Sequence, residues 1–299
     1  MRILISGASG LIGSALLPAL ERDGHTLIAL TRKRGSQMKN AIEWDPERRE
    51  LDARQIEGVD AVIHLAGENI GGGRWTEARK ELILNSRAVG TTLLCETIAS
   101  LKHKPRVLVS ASAIGYYGDR GSETLTEASS AGTGFLSEVC VAWEDATKAA
   151  VSSGVRVVTT RTGIVQTVNG GSLQRMLLPF KLGLGGKFGD GSQFWSWIAI
   201  DDVVGAIQFS LVNENLSGPV NLAAPYPVTN AEFTRTLASV LRRPAFAPMP
   251  RFLMKVILGE MADSLLFSSA KAVPAKLRQA GYQFHYTELE PALRTLLSR

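Results

Sequence analysis

MRILISGASGLIGSAL, residues 1–16, decides how the rest of the chain is read. Arg2 to Ser6 is an apolar run of strand length, rich in aliphatic and β-branched side chains. It leads into Gly7, Gly10 and Gly13, and then into the helical spacing of Leu11, Ile12, Ala15, Leu16, Ala19 and Leu20. Strand, glycine turn and helix in that order make G-x-x-G-x-x-G a usable nucleotide-binding signature. Gly7 permits the tight turn, Gly10 leaves room for a pyrophosphate against the backbone, and Gly13 lets helix and strand pack closely. Ser9, Leu11 and Ile12 complete the expected cradle, where unpaired helix N–H groups and the positive dipole end face the phosphates. The plainer alternative is a turn that serves packing alone.

The next unit selects the cofactor. Thr26 to Leu30 reads as a second strand, and a unit that binds NAD usually closes this strand with an Asp or Glu for the ribose 2′-hydroxyl. Here Thr31, Arg32, Lys33 and Arg34 follow, so cations stand where a 2′-phosphate would sit. Arg32 offers a bidentate fork and Lys33 adds charge, which favours NADP(H). A solvated basic loop is the competing reading.

The totals suit a soluble enzyme-sized chain. It has 299 residues, 45% hydrophobic and 20% charged, with two cysteines and a net charge of +5. Cys95 and Cys140 make no disulfide framework, and no apolar run is long enough to span a bilayer, so a reducing cytoplasmic setting without a membrane partner is expected. Basic residues are scattered, which suits a small anionic ligand and argues against nucleic acid. No metal-ligand cluster stands out. The pattern as a whole reads as α/β: a Rossmann-type doubly wound parallel sheet over residues 1–165, with 195–225 contributing elements. Residues 166–299 are expected to form a smaller, interleaved, mixed α/β substrate-binding region.

Val59 to Leu65 is a third firm strand ending in Leu65-Ala66-Gly67, where small residues let backbone approach a ligand. His64 within it is expected to be packed and hydrogen-bonded rather than catalytic. The loop Glu68 to Gly73 is glycine-rich enough to close over a ligand, and a helix follows from about Thr76 to Ser100. Arg106 to Ser110 is another strand, and it opens into Ala111 to Gly118, where Ser112, Tyr116 and Tyr117 lie. A serine hydroxyl there can polarise a substrate oxygen, and a tyrosine can handle a proton. A loop that only packs on the core is the other reading.

SGASGLIG (residues 6–13), DAVIHLAG (60–67) and VSASAIGYYG (109–118), with weaker matches in RAVGTTLL (87–94) and RTGIV (161–165), resemble the extended short-chain dehydrogenase/reductase family of NAD-dependent epimerases and dehydratases. GLGGKFGDGSQFWSWIAIDD (183–202) is similar to its YfcH-like "epimerase family protein" subgroup. The resemblance implies an NADP-binding protein, with Ser112 as counterpart of the family's catalytic serine and Ile164 beside the cofactor. Two departures qualify it. The family's Tyr-x-x-x-Lys is absent from the helix GFLSEVCVAWE (134–144), where Leu136 and Cys140 take those positions. Arg87 replaces a common asparagine and would aim a cation at the cofactor cleft.

Val155 to Arg161 is the last firm strand of the sheet, and Leu173, Met176, Leu177, Phe180 and Leu184 have helical spacing. In the resembling family this region covers the substrate, so Gln193, Trp195 and Trp197 could bond or stack on it, with core packing the equal alternative for the tryptophans. Further elements are a helix from Ile200, a strand at Pro219 to Leu222, and Pro-bounded amphipathic segments near 252–258, 268–279 and 286–297. The apolar stripe Leu289, Leu293, Leu296 and Leu297 reads as core or as a homodimer contact. The expected function is hydride transfer between NADP(H) and a small polar molecule, by an oxidoreductase or nucleotide-sugar-epimerase-like enzyme. A non-catalytic NADPH-binding or sensing protein is the alternative, since a tyrosine without its lysine partner is a slow base at neutral pH.

Overall fold

Ile3, Leu4 and Ile5 have no exposed surface, which is what a strand covered by helices on both faces requires. The computed structural model describes residues 1–32 and 40–298. Strands β1 (Arg2–Ser6), β2 (Thr26–Thr31), β3 (Ala41–Glu43), β4 (Ala61–His64), β5 (Val107–Ala113), β6 (Arg156–Thr162) and β7 (Gly218–Leu222) form one sheet. Their order is β7-β6-β5-β4-β1-β2-β3, and every pairing is parallel. The order reverses between β1 and β4, the place where a doubly wound sheet opens a ligand crevice at its carboxyl ends. Beyond Val155 to Arg161 the sheet gains β7, an edge strand from far along the chain that pairs with β6 and lies within the 195–225 stretch.

The period-two alternation of the strands divides the core. Ile3 and Ile5 pack with Leu16 and Leu20 of helix α1 (Leu11–Arg22) on one face, and Leu4 packs with Leu94 and Ile98 of helix α2 (Glu77–Ser100) on the other. Helix α3 (Phe135–Asp145) lies against α2, above β5. Past the sheet, helices α4 (Gly171–Lys181), α5 (Ile200–Val212), α6 (Asn230–Leu241), α7 (Arg251–Leu258) and α8 (Leu289–Ser298) follow. A separate cluster holds the C-terminal elements together: Leu173, Phe180, Trp195, Trp197, Phe233, Leu237 and Leu293. Leu289, Leu293 and Leu296 are buried, so that stripe is core.

Asp202, buried in the first turn of α5, stitches the tail to this body. Its carboxylate accepts backbone N–H bonds from His285 at 2.7 Å and Tyr286 at 3.0 Å. Two details differ from the spacing. Leu184 lies beyond α4, which stops at Lys181, and is exposed. Residues 268–279 are split by Pro274 into a strand, Lys271–Ala272, paired with Thr124–Leu125, and a short helix, Ala275–Gln279. Among the described residues no helix is long and apolar enough to cross a membrane.

Candidate active site

The glycine turn is built by contacts that only glycine allows at two of its three positions. Gly7 has φ +70°, and a Cβ there would stand 2.6 Å from the Leu65 carbonyl carbon. A Cβ on Gly13 would stand 2.3 Å from the Gly7 carbonyl oxygen. Gly10 is different: its φ is −77°, and the nearest atom to a Cβ would be the Gly7 oxygen at 3.2 Å. Fold and backbone therefore demand Gly7 and Gly13, whereas Gly10 is exposed and less tightly constrained. A bare, exposed backbone at the start of a helix is what a closely approaching phosphate requires.

From the turn, a row of contacts runs along the carboxyl ends of the strands. Gly7 abuts Leu65 and Ala66, and Gly67 abuts the Arg87 guanidinium. Arg87 donates to the Ile83 and Glu68 carbonyls, each at 3.0 Å, and covers the Trp143 ring at 4.9 Å. On the other side, Leu11 touches Gly170 and Gly171, and Ile164 lies half-buried where β6 has just ended. The β1–β2 register pairs Ser6 with Leu30, so Arg32, two residues on and exposed, emerges beside the glycine turn. Lys33 lies outside the described residues.

His64 is the hinge pin beneath this row. It is fully buried, with Nδ1 2.6 Å from the Ser6 hydroxyl and Nε2 3.0 Å from that of Thr91. Burial pushes its pKa down to about 4, so it is neutral at ordinary pH, a packed tie between β1, β4 and α2.

At the far end of the row the sheet presents chemistry. The register aligns Ser112 on β5 with Arg161 on β6, and Arg161 with Asn221 on β7. Glu144 reaches into this line from α3. Its Oε1 accepts from the Ser112 hydroxyl at 2.7 Å and from Arg161 Nε at 2.8 Å, while Oε2 accepts from Arg161 Nη2 at 2.8 Å. The pair is well enclosed, with side chains 3% and 15% exposed for Arg161 and Glu144. Burial opposes the Arg161 charge, but its bonds to Glu144 and Tyr117 hold it above the ordinary arginine range. Arg161 also packs its guanidinium on the Tyr116 ring, 3.4 Å from the centroid.

Several expected site residues have other employment. Tyr117 is fully buried; its hydroxyl accepts from Arg161 at 3.1 Å and faces Asn221 Oδ1 at 2.7 Å, and burial pushes its pKa up. Tyr116, beside it, is half-buried. Trp197 is fully buried and donates to the Tyr226 carbonyl at 3.1 Å, so it is core and cannot stack on a substrate. The Gln193 amide donates to the Leu266 carbonyl at 2.8 Å and is nearly buried, which ties the lobe together instead of reaching outward. The loop Glu68 to Gly73 is fastened by Arg79 to Glu68 and Asn69, by Arg175 to Gly71, and by the Trp75 indole to Ile70, so its glycines do not make it loose. Cys140 is a buried thiol beside Ser112, pushed up to about 11 by burial.

Glu144 and Arg161 are the site members that spacing did not single out. Leu136, Cys140 and Glu144 follow one another at four-residue intervals on one face of α3, the face that meets Gly115 and Ser112. An arginine closing the apolar strand VRVVTTR also signals a buried partner.

Sheet order, glycine turn and crevice together define a Rossmann-type dinucleotide-binding protein. Residues 3–223 match the NAD dependent epimerase/dehydratase family, to which the chain belongs; residues 249–296 match a domain of unknown function, DUF1731. The chain is 43% identical over 291 residues to epimerase family protein MT2273 of Mycobacterium tuberculosis, covering 97% of this chain and 96% of that one. The crystal structure of human epimerase family protein SDR39U1 (isoform 2) with NADPH superposes with a TM-score of 0.92 at 34% identity, covering 100% and 99% of the two chains. A nucleoside-diphosphate sugar epimerase from Corynebacterium glutamicum superposes at 0.82 with 36% identity, over 99% of this chain and 58% of that longer one.

Proposed function

We propose that the chain binds NADP(H) in the crevice and moves hydride to or from a small polar substrate, as an oxidoreductase or an epimerase-like enzyme. One observation carries the binding half: Gly10, with a φ that any residue adopts, stands exposed at the N-terminus of α1, at the place where a pyrophosphate must approach. The NADPH in the human relative's structure supports the same reading. Ser9, Gly10, Leu11, Ile12 and Gly13 would hold the phosphates through backbone N–H groups at the start of α1. Arg32 would meet the 2′-phosphate, and Leu65, Ala66, Gly67, Arg87 and Ile164 would line the rest of the groove. Bound NADP(H) supplies the hydride donor or acceptor.

The chain's own residues handle the oxygen and its proton. Ser112, nearly buried, gives its hydroxyl hydrogen to Glu144, which leaves its oxygen lone pairs to accept from a substrate hydroxyl. Rotated off Glu144, the same hydroxyl donates to a carbonyl oxygen. Glu144 and Arg161 position it, and Tyr116, held on the Arg161 guanidinium, is the phenol that exchanges the proton.

A sensing protein that holds NADPH without turnover is the second reading, and α3 favours it: FLSEVCVAWED contains no lysine to partner a tyrosine. A panel of sugars and carbonyl compounds, followed by the near-ultraviolet absorbance of reduced nicotinamide, separates the two. Substrate-dependent oxidation that drops by about 100-fold or more in Tyr116→Phe and in Ser112→Ala, with NADPH affinity kept, is the expected result. Undiminished turnover in Tyr116→Phe removes that residue from the chemistry; no turnover on any substrate leaves the sensor.

A further inference from the structure

Helix α7 turns its apolar side away from the protein. Phe252, Leu253, Val256 and Ile257 fall on one face and are exposed, Phe252 by 71% and Val256 by 69%. Met254 and Leu258 face the body, where Leu258 packs in the cluster of Trp75 and Met261. The helix has no buried residue and is fastened at its edges: Arg251 and Lys255 pair with Asp263 at 2.7 Å, and Arg74 donates to the Val256 and Ile257 carbonyls. The exposed apolar surface continues before the helix. Ala247 N–H bonds the Gly185 carbonyl and Met249 N–H bonds that of Lys187, so two strips run side by side and place exposed Leu182, Leu184 and Phe246 near one another.

Charge decides what covers such a face. Residues 171–189 and 242–259 contain no Asp or Glu, Lys187 is answered by Asp190 at the margin, and Lys181, Arg242 and Arg243 stand exposed around the apolar strips. A second copy docked by the same face across a twofold axis would set these cations against one another. A neutral protein groove would leave them unanswered. We propose that this face is a peripheral docking surface for an anionic phospholipid membrane, with α7 lying in the interface and the flanking cations on the headgroups. Sequence alone pointed away from a membrane because no segment can span one; lying on a membrane asks only for one apolar face and a basic margin.

Co-sedimentation of the full chain with vesicles tests this. Phosphatidylcholine vesicles containing roughly 30% phosphatidylglycerol should capture it at least about tenfold better than phosphatidylcholine alone, and added salt should weaken the capture. Phe252→Glu/Val256→Glu should abolish binding while NADPH affinity and circular dichroism stay unchanged. Arg242→Glu/Arg243→Glu should reduce binding to the anionic vesicles, and it decides the matter by itself if the first variant does not fold. Absence of binding to either vesicle, or full binding by both variants, overturns the proposal. So does a dimer in light scattering that Phe252→Glu/Val256→Glu converts to monomer, which assigns the face to a second copy.

Discussion

The two ends of the crevice are made in different ways. The glycine end is backbone: Gly7 and Gly13 let three chain segments touch, and the turn itself lies within seven consecutive residues. The chemical end is side chains from distant places, with Ser112, Glu144, Arg161 and Asn221 assembled by register across β5, β6 and β7 and by one helix above them. The first end tolerates almost no added atom where the chain touches itself. The second tolerates no unmatched charge. A backbone socket holds its shape without side chains, whereas the second end depends on each partner's charge being answered.

Removing one side of the buried pair should give the largest effect. Arg161→Met leaves Glu144 charged and nearly enclosed, and chemical denaturation should show a loss of about 3–5 kcal/mol. Arg161→Met/Glu144→Gln should recover part of that stability without recovering turnover; full recovery of activity would show that the pair is only structural. At the glycine end the matching titration is His64. Its folded pKa of about 4 lies below the ordinary 6.5, so the unfolded chain takes up a proton that the folded chain refuses. The stability from neutral His64 is therefore complete above pH 6.5 and is lost as pH falls toward 4, by about 2 kcal/mol at pH 5. Urea midpoints at pH 7 and 5, compared with those of His64→Gln, should show that slope in the parent chain and a flatter one in the variant.

Arg32→Asp touches neither core nor turn. It should leave stability unchanged and shift the NADPH-to-NADH affinity ratio by roughly tenfold or more toward NADH, by removing a charge-assisted contact with the 2′-phosphate. An unchanged ratio would take Arg32 out of the site. Gly10→Ala should cost about 1 kcal/mol of stability, because alanine is a poor N-cap and its Cβ would stand 3.2 Å from the Gly7 carbonyl oxygen. NADPH affinity should also fall by about tenfold or more, since the added methyl group occupies the pyrophosphate's space. Equal affinity in parent and variant would make the turn a packing device.

What could be read before any tertiary contact was known follows the same division. The strand at Arg2–Ser6, the glycine turn and α1 were legible because each depends on neighbours a few residues away. The position of Arg32 was legible because a parallel unit puts the end of β2 beside that turn. Gln193, Trp197 and Tyr117 misled for one reason: a polar or aromatic residue looks alike in sequence whether it faces a ligand or a buried carbonyl, and here the carbonyls of Leu266 and Tyr226 and the Asn221 amide take them up.

By itself, then, the order of apolar periods and glycines determined a doubly wound nucleotide fold, because hydrophobic periodicity and backbone freedom are local properties. Only the tertiary structure decided that Glu144 faces Ser112, that Arg161 holds Glu144, and that α7 shows its apolar side to the outside. Those outcomes depend on strand register and on which face of a helix finds a neighbour, and neither is set within the segment that carries the residue.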